Sequence, residues 1–214
     1  MHVKYPVVPA ALMLFALVGC GDDRPSDKVA SAAILQQAQS DVLDGLEIVE
    51  FERSNGQVDP DSANRYRVTY TYKLQLTKPY GEAILATAED LHEELERAAQ
   101  ASQSAASVLD LGALEQAMGQ MQYTLTASQW LSAQGDQFPA RREALLDSCA
   151  PCKGYWNGAQ VEEQAELRRL AFIIAWSHFE GLSFKDDAKV GDAVERYAWR
   201  NFEKTEKGWF PSAL

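Results

Sequence analysis

Three cysteines and three histidines are all that this 214-residue chain offers as soft or imidazole ligands. That scarcity closes several classes at once. A structural zinc site takes four ligands and a catalytic one three plus water. Beyond His2 only His92 and His178 remain, neither at ligand spacing from a cysteine. Haem attachment needs a histidine directly after a Cys-x-x-Cys pair, and Lys153 stands there. Basic residues are also in deficit, with 20 Lys and Arg against 31 Asp and Glu. Nucleic-acid binding rests on neutralising phosphates, so nucleic acid is not an expected partner. There is no Gly-x-Ser-x-Gly elbow, no glycine-rich phosphate loop, no repeat and no low-complexity tract. His178 lies on the most apolar segment and reads as a core histidine. Asp186-Asp187 and Glu162, Glu163 and Glu166 read as capping residues and solvated helix faces. No catalytic residue, metal or cofactor is therefore expected, and the chain reads as a non-enzyme.

Long apolar runs are missing too. A membrane-spanning helix needs about 20 such residues. The run from Tyr5 to Val18 is shorter and contains Pro6 and Pro9, which interrupt a helix. Lys4 precedes it, and small residues close it; these are signal-peptide features. It ends in Leu17-Val18-Gly19-Cys20. This stretch resembles the lipobox of bacterial lipoproteins, in which an aliphatic residue and two small residues precede an invariant cysteine. The resemblance implies that residues 1–19 are a signal peptide removed by cleavage. It further implies that Cys20 carries a diacylglyceryl group on sulfur and an acyl group on its new amino end. Two acyl signals are enough for stable anchoring. Gly21, rather than Asp, follows the cysteine, which by the same resemblance favours the outer membrane, facing the periplasm. The resemblance covers about the first twenty residues.

Without the leader, 195 residues remain, enough for one domain with a real core. The leader holds one Lys and no acidic residue, so the remainder has 19 Lys and Arg against 31 Asp and Glu, a formal charge of −12. That balance opposes a polybasic membrane contact and leaves the lipid as the expected attachment. Residues 20–27 are expected to be the lipidated cysteine and a short polar tether, and 28–214 a single α+β domain. With Cys20 acylated, Cys149 and Cys152 are the only thiols, and an exported pair should be oxidised to a disulfide.

Ser26 and Asp27 can cap a helix running to about Asp44. Leu46 to Phe51 reads as a strand whose apolar phase shifts between Ile48 and Val49, as at a bulge. Ser54-Asn55-Gly56 and Asp59-Pro60-Asp61 supply turn chemistry. From Tyr66 to Leu76 apolar and polar residues alternate strictly, which means a long strand with one face on a core. Its basic face, with Arg67 and Lys73, reads as solvated; anion binding is the sharper alternative. Ile84, Leu91, Leu95 and Ala98 step at helical spacing. Residues 111–123 look helical, although 122–126 could be a short strand. Pro139 suits the first turn of a helix over 139–148. Residues 160–180 form the best core helix, apolar on every side from Leu170 to Trp176. Extended chain returns from Val194 to Phe202, with Tyr197 and Trp199 on one side, and again at Trp209-Phe210. The expected fold is α+β. Early and late strands form a small antiparallel sheet, with a long helical insertion packed on one face.

Cys149-Ala-Pro-Cys152 is the one motif with chemical potential. It looks like the active-site tetrapeptide of thioredoxin-like proteins, whose first cysteine sits at a helix N-terminus that lowers its pKa. Here 153–158 reads as loop and Ser148 replaces the usual preceding aromatic. The bland alternative is a staple at a helix end that aims Tyr155 and Trp156. Those aromatics are either satellite core or anchors for a partner, since Trp and Tyr are enriched at interface hot spots. Three functions follow. The first is a non-catalytic envelope lipoprotein binding another envelope protein, as an accessory, assembly or immunity-type module. The second is a periplasmic thiol–disulfide exchange enzyme attacking through Cys149. The third is a small-ligand-binding lipoprotein.

Overall fold

The structure is a computed structural model that describes residues 23–40, 42–104, 111–158 and 162–212. The element order is α1 (Asp27–Ser40), β1 (Leu46–Asp59), β2 (Ser62–Leu76), α2 (Tyr80–Ser104), α3 (Leu111–Gln134), a 3-10 turn (Gly135–Gln137), α4 (Phe138–Ser148), α5 (Ala150–Asn157), α6 (Glu162–Gly181), β3 (Ala193–Thr205) and β4 (Gly208–Pro211). The fold is α+β. Early and late strands meet in one four-stranded sheet of order β1-β2-β3-β4, and the helical section α2–α6 stands between β2 and β3 in the chain. Among the described residues no helix is long and apolar enough to cross a membrane.

Side-chain pairs fix the registers. Lys73 reaches Glu50, the Tyr72 ring lies 6.1 Å from Phe51, and Ser54 Oγ donates to the Thr69 carbonyl. Each step forward on β1 is thus a step back on β2, as antiparallel pairing requires. Arg65 with Glu203 and Arg67 with Asn201 show the same relation between β2 and β3. Phe202 faces Pro211 and Thr205 faces Gly208 across β3 and β4, also antiparallel. The expected turn at 54–56 is instead strand, because pairing with β2 carries β1 on to Asp59; the chain turns at Pro60-Asp61. Glu50 takes a left-handed backbone with φ of 51°, and burial changes phase around it, which places the irregularity of β1 beside the expected Ile48–Val49 shift.

Two compact units divide the chain, and β1, β2 and β3 each run from one into the other. In the first unit (up to 36, 53–70 and from 198) Pro25, Ala30, Ile34, Tyr66, Val68, Tyr70 and Phe202 are buried. The Tyr70 hydroxyl donates to the Asp27 carbonyl, 3.3 Å away, and Arg53 binds both the Pro25 carbonyl and the Asp27 carboxylate. These bonds seat the N-terminal turn of α1 on the inner face of the strands. Residues 66, 68 and 70 are buried and 67 exposed, as period-two alternation demands.

The second unit (37–52 and 71–197) is helical apart from the strand ends. α2 packs against α3, α5 and α6, most extensively against α6. Of the run Leu170 to Trp176, Leu170 is half-buried and every residue from Ala171 on is buried, so all but its first residue is surrounded, as its sequence requires. Gly45 fixes the entry to β1. Its φ is +83°, and a Cβ there would lie 2.6 Å from the Ala83 Cβ. Its carbonyl accepts from the Thr77 amide at 2.9 Å.

Candidate functional site

The Cys149–Cys152 corner is built by two helices meeting end to end. Pro139 stands in the first turn of α4, which runs to Ser148. Cys149 then turns to an extended backbone and becomes the N-cap of α5, its sulfur accepting from the Cys152 amide at 3.3 Å. Residues 153–157 are therefore helix, not the loop expected from the sequence. Pro151 in the first turn supplies a fixed φ and needs no donor, and packing of Tyr155 and Trp156 outweighs the cost of Gly154.

Cys149 and Cys152 form a disulfide, with Cα atoms 5.2 Å apart. Exposure is 6 % at Cys149 and 0 % at Cys152. The lid over the sulfurs is Gly81, in the first turn of α2, whose carbonyl oxygen lies 3.1 Å from the Cys152 sulfur. A disulfide sulfur has no hydrogen to donate, so this is a packing contact. Exchange requires a thiolate to reach one sulfur along the bond axis, and burial denies that approach. Chemically the corner is suited to stapling.

Tyr155 and Trp156 are committed within the second unit. Trp156 is buried with its ring edge-on to Phe172, centroids 5.7 Å apart, and the Arg142 guanidinium lies over its face. The Tyr155 hydroxyl donates to the Ala88 carbonyl at 3.2 Å, and its ring lies beside Phe172 and His92. Burial pushes the Tyr155 phenol well above its ordinary pKa. Cys20 lies outside the described residues.

A polar cluster that sequence reasoning missed joins α3, α4, α6 and the segment after α6. Arg141 makes two parallel bonds of 2.9 Å to Asp186 through Nε and Nη2, the fork geometry that favours arginine. It also reaches Glu180 at 3.4 Å and Gln134. The Trp130 indole donates to Glu180 at 2.9 Å, and the Trp176 indole to Asp186 at 3.2 Å. Asp186 is exposed, as the sequence suggests, and it is also a buttress for α4 and α6, a role the sequence did not signal. Contact with Asp186 holds the Arg141 guanidinium above its ordinary pKa. His178 is driven below its ordinary pKa by burial. Among the described residues, no group of three or more His, Cys, Asp or Glu is placed to hold a metal ion.

In the first unit the outward face carries aromatic and cationic groups. Trp199 is 45 % exposed, and the Arg67 guanidinium sits 4.4 Å from its ring centre. Arg67 Nε donates to Asn201 at 3.1 Å, and Arg65 pairs with Glu203 at 3.1 Å. On the face expected to be basic, Arg65 is thus paired with a carboxylate, whereas Arg67 meets the neutral Asn201 amide and the Trp199 ring. Phe210 on β4 is 47 % exposed. Trp199 was placed on one side of its strand by the sequence, but its partner Arg67 lies 132 residues away and gave no signal.

No protein-family model matches the chain, and searches of curated proteins and of solved structures give no match either.

Proposed function

We propose that this chain is an envelope lipoprotein, held through lipid on Cys20 in the outer membrane and facing the periplasm, whose folded part binds another envelope protein without catalysing a reaction. Accessory, assembly and immunity-type roles all belong to this class. The observation that carries the binding role is the half-exposed Trp199 with Arg67 stacked on it. Tryptophan and arginine dominate interface hot spots, and a stacked guanidinium is pre-organised, so less freedom is lost when a partner covers it. Tyr155 and Trp156, the anchors first suggested by the sequence, have their rings packed within their own unit, which shifts the expected contact to Trp199. Cross-linking in the native envelope followed by mass spectrometry tests the reading. One stoichiometric protein, lost on Trp199→Ala and Arg67→Ala, is the expected result. Recovery undiminished in both variants overturns the assignment of the face.

One observation favours thiol–disulfide exchange as a second reading: Cys149 caps α5, where the helix dipole favours a thiolate. Its burial weighs against it. Catalytic couples lie at roughly −120 to −270 mV and structural bridges below about −300 mV. A measured potential separates the two.

A further inference from the structure

Two half-exposed rings of the first unit stand on one side of the sheet. Arg65 and Arg67, two residues apart on β2, point the same way. Arg65 meets Glu203, and Arg67 meets Asn201 and Trp199, so residues 199, 201 and 203 of β3 share that side. Phe210 is the register partner of Glu203, and side chains directly opposite in an antiparallel pair are neighbours on one face. Trp209 points the other way and packs edge-on to the buried Tyr66 ring, 6.0 Å between centres. The outward face thus carries both Trp199, 45 % exposed, and Phe210, 47 % exposed. Four residues of strand, about 13 Å, run from Trp199 to the row that holds Phe210.

Arg67 brings to this face a cation that no carboxylate of the described residues neutralises. Its Nε donates to the neutral Asn201 amide, and its guanidinium lies 4.4 Å from the Trp199 ring centre. Both Nη nitrogens are left for another molecule. Neighbouring Arg65, by contrast, has Glu203 at 3.1 Å. In a chain with 31 acidic and 20 basic residues, Arg67 is the open half of an ion pair. Asn201 and Trp199 hold its fork in place, the geometry that takes a carboxylate through two parallel bonds. The same acidic surplus repels surfaces dense in phosphate. A protein surface offers what remains: a single carboxylate set among apolar groups that cover the two rings.

We infer that the outward face of the first unit takes a partner protein that sets an Asp or Glu side chain on the free end of Arg67, with apolar side chains over Trp199 and Phe210. This rests on the reading that the Trp199 face binds another protein, and it adds what that protein presents there. Arg67 is then the element that selects. A partner with an amide or an amine in that place leaves the guanidinium desolvated and unpaired.

The test turns the contact into a covalent bond. Arg67→Lys keeps the cation and supplies a primary amine; Arg65→Lys does the same beside Glu203. Native envelopes carrying each full-length variant are treated with a water-soluble carbodiimide. This reagent joins an amine to a carboxylate that it touches, as an amide with loss of water. Linked peptides are then sequenced by mass spectrometry. The amine at position 65 should join Glu203 of the same chain; its failure to do so overturns the arrangement of the face. The amine at position 67 should join an Asp or Glu side chain of another protein. Adding Trp199→Ala or Phe210→Ala to Arg67→Lys should lower the yield of that link at least tenfold. A link from position 67 to a chain-terminal carboxylate or to a cell-wall peptide overturns the acidic side chain as its source. An amine at 67 that stays free, while a longer amine-reactive reagent still retrieves a protein lost on Trp199→Ala, overturns the carboxylate and leaves the binding face standing. No protein joined by either reagent overturns both.

Discussion

Gly81 lies so close to Cys149 that a Cβ on it would come within 2.8 Å of the Cys149 Cβ. The first turn of α2 and the start of α5 are thereby locked at backbone distance. Gly81→Ala should destabilise the protein by about 1–3 kcal/mol, the usual cost of overpacking. Urea unfolding reads it as a lower midpoint at unchanged slope. A midpoint equal to that of the parent means the two helices part at no cost.

The disulfide closes a small ring. On the chain-entropy model its removal costs about 2 kcal/mol. Cys149→Ser with Cys152→Ser should lower thermal stability by that amount while far-UV dichroism keeps its helical signal. Reduction of the parent should be slow under native conditions and fast in denaturant, because both sulfurs are buried. Equal rates in the two conditions would show that the pair is reachable in the native state.

Trp156 and Trp199 should behave in opposite ways. Trp156→Ala removes a buried ring packed on Phe172 and should cost about 3–5 kcal/mol of stability. Trp199→Ala removes a half-exposed ring and should cost under about 1 kcal/mol, while abolishing partner capture. Paired melts and pull-downs give the comparison; a stable Trp156→Ala protein that has lost its partner returns the anchor role to α5.

How legible these features were depends on the distance over which they are encoded. β2 was readable because alternation from Tyr66 to Leu76 is local, and α6 because seven successive residues are apolar enough to be buried. Residues 122–126 misled because Thr124 and Thr126 are β-branched. In α3 the Thr126 hydroxyl bonds the Gln122 carbonyl and Ser128 that of Thr124, so the polar groups are satisfied within the helix. Ser54-Asn55-Gly56 has turn chemistry but pairs with β2, a decision made by tertiary contact. The Arg141 cluster is not written in any local pattern. Its members at 130, 134, 141, 180 and 186 meet only after the helices have packed.

That cluster should carry measurable stability. Arg141→Leu leaves Asp186 and Glu180 without their cation. With side chains 23 % exposed at Arg141 and 38 % at Asp186, water screens part of the loss, and about 1–3 kcal/mol is expected. Lys153→Leu removes the exposed pair with Asp147 and should cost clearly less than Arg141→Leu, because solvent screens an exposed pair. Matching losses in the two variants would mean that the cluster adds nothing beyond a surface pair.

His178 should impose a pH dependence of one sign. Burial holds its folded pKa below the ordinary 6.5, so the unfolded chain takes up the proton first. Its contribution is fully present above about pH 6.5 and is lost as pH falls through the folded pKa. Melting temperatures of the parent and His178→Gln should therefore run parallel above that pH. Below it the parent should fall more steeply. Parallel curves down to pH 5 would show that the imidazole is not desolvated.

Pro25 has one more consequence, for release. Proteolytic shedding needs an extended stretch of chain to enter a protease cleft. Pro25 is seated in the first unit under Arg53, so a copy anchored at Cys20, as proposed above, would offer only the few residues between Cys20 and Pro25. Lengthening that stretch requires α1 to lose its first turn. On the proposed lipid anchoring, escape from the membrane surface would be governed by how often the N-terminal turn opens, so the proline that seats this turn would also set how long an anchored copy stays in place.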